Sequence, residues 1–331
     1  MRCRVAFLTV QRSPLTAALV TVAAGVVLAV QAQVNSSLGA ALGNGFYAAA
    51  VSFTLGLVIL LVGLLGKPSA RLGLRRLAHY VRTGVTPWWA LFAGVGGASV
   101  VVAQGVAVPH IGVSVFTMCF VAGQIVGGML VDMTRLNPNG ATRPTRRRLL
   151  GAVIVLAGVA VSTLAGDIGG FPLWAPLLPL TAGGLTSAQA AINGRVRQRV
   201  ESGYAATTVN FASGALVATA VALVVGVQSG TVPALPAAGQ WWLFLGGALG
   251  VIYIFTTSTT VARLGVLMLS LLSLVGSLAG SLVLDSLSPE ASVSLFTVVA
   301  MVLVISGVLV TPQRTQWRQW MRMVRSPSRS A

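Results

Sequence analysis

Long stretches of chain without a single charged residue limit the possible folds more than any other feature. They comprise residues 13–66, 83–131, 204–262, 264–284 and 291–313. A bilayer with a hydrocarbon core of about 30 Å requires about 20 apolar residues for each spanning helix, so each stretch can hold one or two helices. The stretches lack the alternating apolar and polar residues of membrane β-barrel strands. We therefore predict an all-α integral membrane protein.

The uncharged stretches divide at Gly, Pro, Asn and charged clusters into shorter apolar segments. Only 8% of the 331 residues are charged, against about 25% in soluble domains, which excludes a water-soluble fold of this size. We predict ten transmembrane helices, at residues 15–33, 48–66, 88–108, 112–131, 149–166, 173–193, 206–227, 241–262, 265–284 and 293–311.

The positions of the 22 Lys and Arg residues predict how these spans are oriented. Lys and Arg concentrate in the short cytoplasmic loops of membrane proteins. With ten spans, one face holds both termini and the loops after the even-numbered spans, and these segments contain all 22 basic residues. Both termini are therefore expected in the cytoplasm. Because the basic residues are dispersed among loops, the formal charge of +17 does not predict nucleic-acid binding.

The chain contains an internal repeat. The segment Gln-Ala-Gln-Val-Asn at residues 31–35 resembles Gln-Ala-Ala-Ile-Asn at 189–193, which lies 158 residues later. At an offset of 153, the pair Trp88 and Trp89 matches Trp241 and Trp242. Further matches in this register are Gly94 with Gly247, Gly97 with Gly250, Gly112 with Gly265, Gly123 with Gly276, Gly127 with Gly280, and Asp132 with Asp285.

Each copy of the repeat has five spans, and an odd number places the two copies upside down relative to each other. The expected organisation is a basic N-terminus at 1–14, a first five-helix repeat at 15–166, a second, inverted repeat at 167–311 and a basic tail at 312–331. Inverted-topology repeats are typical of secondary transporters, which bind substrate near the midplane between the two halves.

Several short motifs resemble those of a known family. They are the 31–35 segment, Leu38 with Gly39, Ser52 with Phe53 and Gly56, and Gly123 with Gln124 and the later Asp132. Together they resemble the YdcZ-like branch of the drug/metabolite transporter superfamily, which is similar to EamA-type permeases and includes fused ten-helix forms. The second copy departs from the pattern, since Ser277 stands at the position of Gln124 and Arg197 at that of Gly39. The resemblance implies a permease of the bacterial inner membrane that exports small molecules.

Large polar side chains within the spans are the candidates for substrate binding, because such groups are costly in lipid and face a partner or a cavity. A run of hydroxyl residues at 256–260, with Tyr253 one turn earlier, also suggests a wet surface. For the two asparagines at 35 and 193, hydrogen bonding between helices is the favoured alternative. The candidate binding residues are Gln31, Asn35, Gln104, Gln124, Gln189, Asn193, Tyr253, Thr256, Thr257 and Thr260.

Two glycine pairs spaced four residues apart predict close helix packing. They are Gly123 with Gly127 and Gly276 with Gly280. The sequence contains no paired carboxylates, no metal-ligand set of His or Cys, and no phosphate-binding GxxxxGK motif. We therefore expect no enzymatic activity, no cofactor and no metal.

The leading hypothesis is a secondary transporter that moves small metabolites or drugs by alternating access. The expected partners are a small-molecule substrate and the lipid bilayer, with a homodimer left open and nucleic acid excluded. A non-transporting membrane scaffold or biogenesis factor is the alternative.

Overall fold

A computed structural model describes residues 14–134, 136, 143–165, 172, 174–230, 233–287 and 295–310, without the side chains of 14, 162–165, 238, 257–259 and 261–271. The predicted flanks, 1–14 and 312–331, lie outside these ranges apart from residue 14. The described chain forms nine α-helices and no strand: α1 (Pro14–Ala41), α2 (Gly45–Leu65), α3 (Pro68–Arg82), α4 (Gly94–Asp132), α5 (Arg146–Ala165), α6 (Trp174–Val200), α7 (Gly203–Ser229), α8 (Gly246–Leu287) and α9 (Leu295–Val310).

The fold is that of a membrane protein. Within the described residues, five helices are long and apolar enough to cross a bilayer. Two 3-10 helices, Trp88–Ala93 and Ala238–Leu245, lead directly into α4 and α8. The predicted spans 88–108 and 112–131 belong to the first of these continuous segments, and 241–262 and 265–284 to the second.

Several predicted boundaries are wrong. The first and sixth spans were expected to end at residues 33 and 193, but α1 continues to Ala41 and α6 to Val200. The loop after the second span contains α3, whose residues Ala70, Gly73 and Leu77 are buried against the α6–α7 turn while its basic residues face outward. Its amphipathic pattern is too polar to cross a membrane, so a search for apolar spans does not find it.

The predicted third and fourth spans were expected to be joined by residues 109–111. In the structure these residues are helical, and the helix breaks at Gly112. Gly112 has φ +71° and ψ 168°, a backbone conformation that residues other than glycine rarely adopt. The break frees two backbone N–H groups at the start of the following helical segment, and both donate to the carboxylate of Asp285. Val113 N lies 2.9 Å from Oδ1 and Ser114 N lies 2.7 Å from Oδ2. Asp285 of the second repeat thus caps a helix of the first repeat.

Removing this cap is expected to destabilise the protein. In an Asp285→Ala variant, the buried N–H groups of Val113 and Ser114 lose their acceptor, which costs about 1–3 kcal/mol. We expect the midpoint of thermal unfolding in detergent to fall by several degrees. Asp285→Asn keeps one acceptor oxygen and should lose less. A midpoint that does not change in Asp285→Ala would contradict the capping role.

The helices pack with the two-fold pattern that the repeat requires. Helix α1 packs along the second part of α8, which contains Gly276 and Gly280. Its counterpart α6 packs along the second part of α4, which follows the break at Gly112. Helix α2 packs on its own counterpart α7, and α5 on α9. The paired tryptophans are exposed to the same extent in both copies, at 69% and 42% for Trp88 and Trp89 and 65% and 41% for Trp241 and Trp242.

Candidate functional site

A cavity of about 290 Å³ lies between the two halves. Helices α1, α2 and α4 line it from the first repeat, and α6, α7 and α8 line it from the second. A smaller cavity of about 90 Å³ adjoins it and shares the side chains of Gln104, Gln124 and Tyr253. None of the described residues that line either cavity is Asp, Glu, Lys, Arg or His. The described wall of the large cavity therefore combines uncharged carboxamides and hydroxyls with aromatic, aliphatic and glycine residues.

The structure places six of the ten candidate binding residues on the wall of the large cavity. They are Gln31, Gln104, Gln124, Gln189, Asn193 and Tyr253. Asn35 lies behind the wall and is fully buried. Thr256 lines neither cavity, and Thr260 connects α8 to α1 by accepting a hydrogen bond from Thr21 at 3.3 Å. The side chain of Thr257 lies outside the described residues.

The wall also contains residues beyond the ten candidates. Asn210 stands among the polar ones, with Ser52, Thr186 and Thr207, and the aromatic ones are Phe53, Phe120 and Phe211. The repeat register contained a usable signal, because Asn210 lies 158 residues after Ser52, as Phe211 does after Phe53. These two rings meet at the cavity with their centroids 5.2 Å apart and their planes tilted by 40°.

The two glutamines of the repeated motif occupy equivalent positions. A Cβ added to Gly250 would lie 3.0 Å from Gln31 Nε2, and one added to Gly97 would lie 3.3 Å from Gln189 Nε2. Gly97 and Gly250 are counterparts in the repeat. Each glutamine therefore lies against a glycine of the opposite repeat, where a larger residue would displace its amide.

Three residues form a closed polar cluster in the first repeat, which we call the first cluster: Asn35, Ser52 and Gln104. Asn35 Nδ2 donates to Gln104 Oε1 at 2.6 Å, and Ser52 Oγ donates to Asn35 Oδ1 at 2.6 Å. All three side chains are at most 2% exposed. These hydrogen bonds join α1, α2 and α4, and Ser52 and Gln104 also line the cavity.

The second cluster consists of Gln189, Asn193 and Asn210. Gln189 Nε2 and Asn193 Nδ2 both donate to Asn210 Oδ1, at 2.9 and 3.1 Å. Gln189 and Asn193 are partly exposed, in contrast to the buried first cluster. Gln189 Oε1 is itself buried and has no hydrogen-bond partner among the described residues.

Equivalent residues of the two repeats differ in exposure, and this difference shows where the cavity opens. Ala32 is 3% exposed, whereas its counterpart Ala190 is exposed and lines the large cavity. The first part of α4 packs on α2, but the first part of α8 makes only sparse contact with α7. The cavity is therefore more exposed at the end of α6, which we call the accessible end, than at the tightly packed end of α1.

Basic residues are concentrated around the accessible end. Arg76 of α3 pairs with Glu201 in the α6–α7 turn at 2.8 Å, and Arg199 donates to Thr86 at 3.1 Å. Lys67 lies over the ring of Tyr204, 4.5 Å from its centroid. The loops that follow α2 and α6 thus lie at the same end of the molecule.

The four predicted packing glycines lie at close helix contacts. An added Cβ would lie 1.9 Å from Leu180 O at Gly123 and 2.0 Å from Val22 O at Gly276. At Gly127 the nearest atom would be Gly184 Cα at 2.5 Å, and at Gly280 it would be Ala29 Cβ at 3.2 Å. Leu180 and Val22 are counterparts, so the same contact is formed twice, between α4 and α6 and between α8 and α1.

A comparison with protein families matches the chain twice. The family described as "Putative inner membrane exporter, YdcZ" matches residues 16–161 and 174–310, which are the two copies of the repeat. No curated protein is significantly similar to the chain. Among the described side chains, no three His, Cys, Asp or Glu residues lie close enough together to hold a metal ion.

Proposed function

Because the chain belongs to the YdcZ family of inner membrane exporters, we propose that it carries small molecules out of the cytoplasm through the cavity between its two repeats. The family is one of transporters and not of enzymes. The observation that carries the proposal is the cavity itself, whose described lining residues are uncharged, whose wall combines both repeats and which is more exposed at the end of α6 than at the end of α1.

The proposed topology has ten spans, with the accessible end and both termini in the cytoplasm. The 22 basic residues of the sequence support this orientation. The segment from Lys67 to the end of α3 and the last turns of α6, which meet at the accessible end, hold eight of them: Lys67, Arg71, Arg75, Arg76, Arg82, Arg195, Arg197 and Arg199. In this orientation the structure corresponds to the state that takes up substrate for export.

The proposed mechanism is alternating access by exchange between the repeats. The two repeats are similar in sequence but differ in burial, since the first cluster is buried whereas Gln189 and Asn193 of the second are partly exposed. In the opposite state, α6 and α7 would close on α8 while α1 and α2 separate from α4. Such an exchange moves the accessible end from one face to the other without a change in the fold.

Transport through the cavity is expected to depend on the paired glutamines. In cells that contain the wild-type chain, we expect one or a few metabolites to accumulate in the medium, as measured by untargeted mass spectrometry. Gln31→Leu or Gln189→Leu removes the amide that a bound solute would contact, and the export rate should fall about tenfold or more. Each substitution leaves a side chain of similar size.

Gln228→Leu is the matched control. Gln228 is exposed near the end of α7 and does not line either cavity. It should export as the wild type does. If a broad metabolite panel reveals no difference between cells with and without the protein, the exporter proposal fails and a scaffold role is favoured. Normal export by both glutamine variants would assign these residues to packing.

A further inference from the structure

We propose that the cavity selects uncharged, planar solutes that carry a carboxamide or a cyclic amide group. This inference rests on the proposed function and defines its substrate class. It follows from three separate properties of the wall: the lack of charged side chains, the hydrogen-bonding groups that are left without partners, and the aromatic rings.

The first property is charge. An ion that enters the cavity loses its hydration, and a wall without an opposite charge cannot compensate for that loss. The described lining residues include no Asp or Glu to pair with a cation and no Lys or Arg to pair with an anion. The basic residues near the accessible end, such as Arg76 and Arg199, lie outside the lining. The cavity therefore disfavours solutes of either charge.

The second property is the pattern of donors and acceptors. Asn210 Oδ1 already accepts two hydrogen bonds, from Gln189 and Asn193. The side-chain amides of Gln31 and Gln124 line the cavity and make no hydrogen bond with any described residue. A solute that carries N–H and C=O groups can bond to these amides. A carboxamide brings N–H donors together with a carbonyl acceptor, and a side-chain amide can bond to both at once.

The third property is the shape of the apolar wall. The rings of Phe53 and Phe211 meet at the cavity, and Phe120 also lines it. Such rings stack favourably on flat solutes. A volume of about 290 Å³ is at the small end of ligand cavities, which span about 300–1,000 Å³. The expected solute is therefore a small flat amide rather than a large drug.

Four ligands of nearly identical shape separate these requirements. Nicotinamide is neutral and carries a carboxamide, methyl nicotinate is neutral without an N–H group, nicotinate is an anion, and 1-methylnicotinamide is a cation with the carboxamide intact. Binding of labelled nicotinamide to the purified full-length chain in lipid nanodiscs is measured directly, and the other three serve as competitors. We expect nicotinamide to bind about tenfold or more tightly than each of the others.

Gln31→Leu tests the assigned amide, because the Gln31 side chain lines the cavity. It should abolish the preference for nicotinamide over methyl nicotinate while nicotinate and 1-methylnicotinamide stay weak, and Gln228→Leu should leave all four affinities unchanged. Equal binding of the neutral and charged ligands, or no binding of nicotinamide, overturns the proposed substrate class. Export of some other metabolite in the same preparation of cells would then leave the exporter proposal standing, so the two failures are distinguishable.

Discussion

Gly123→Ala is expected to be among the most destabilising of the Gly→Ala substitutions in the described helices. The added methyl group would lie 1.9 Å from the carbonyl oxygen of Leu180, a backbone atom that moves only if α6 moves. Ordinary contact requires more than 3 Å, so α4 and α6 would have to separate by over an ångström. Overpacking of this kind costs about 3 kcal/mol or more. Fluorescence-detected size-exclusion chromatography after heating should show a midpoint lowered by about 6 °C or more, or no folded protein.

Gly128→Ala is the matched control on the same helix. Its added methyl group would meet Ser187 Oγ at 3.9 Å, an ordinary van der Waals contact. Alanine also has the higher helix propensity, by about 1 kcal/mol, so the midpoint should stay unchanged or rise slightly. Opposite signs for one chemical change at positions five residues apart would be hard to explain without the close contact. Equal midpoints for the two variants would contradict it.

The same experiment in the second repeat tests whether the contact is truly formed twice. Gly276→Ala should be about as damaging as Gly123→Ala, because its methyl group would lie 2.0 Å from Val22 O. Gly280→Ala should cost less, since the nearest atom is Ala29 Cβ at 3.2 Å. A lower unfolding midpoint for only one of the two variants would indicate that the two helix pairs do not contribute equally to stability.

Patterns that follow from lipid chemistry were visible in the sequence. The absence of charge over residues 13–66 indicates apolar surroundings, and the repeat register pairs Trp88 with Trp241, which are similarly exposed in the structure. The helix α3 could not be predicted from the absence of charge or from the repeat. It lies between Lys67 and Thr83, where the basic residues indicate a cytoplasmic loop whether or not the loop is helical.

The site could be predicted only in part, for a physical reason. Polarity within a span identifies a residue that needs a partner, but it does not say whether the partner is a helix or a solute. Asn35 and Gln31 are one turn apart on α1, yet Asn35 bonds to Gln104 and Ser52 while Gln31 faces the cavity. Phe211 belongs to the wall because of its packing against Phe53, and only the repeat register, which pairs these two residues, points to it in the sequence.

Gln104→Leu is expected to shift the accessible end of the cavity from one face of the membrane to the other. The substitution removes the acceptor of the Asn35 amide, which is fully buried. A buried amide without a partner costs about 1–3 kcal/mol, and this penalty applies only while the first cluster is closed. The population of the opposite state should therefore rise by about 5–150-fold. The second cluster, which Gln104 does not contact, should close in return.

Two counterpart positions report both ends of the cavity. With Cys3 and Cys119 replaced by alanine, single cysteines are introduced as Ala32→Cys or Ala190→Cys. A membrane-impermeant thiol reagent should label position 190 rapidly from the cytoplasmic side and position 32 slowly from outside, because Ala190 is exposed and Ala32 is 3% exposed. Adding Gln104→Leu should raise the rate at position 32 about fivefold or more and lower the rate at position 190. Adding Gln228→Leu should change neither rate.

The sign of the change at position 190 distinguishes the mechanisms. If the repeats exchange conformations, opening one end must close the other, so the two labelling rates move in opposite directions. Faster labelling at both positions would mean that Gln104→Leu merely loosens the helices, which contradicts alternating access. Labelling of position 190 from outside would reverse the proposed orientation, because Ala190 lies at the end of the molecule where the basic residues of α3 and α6 meet.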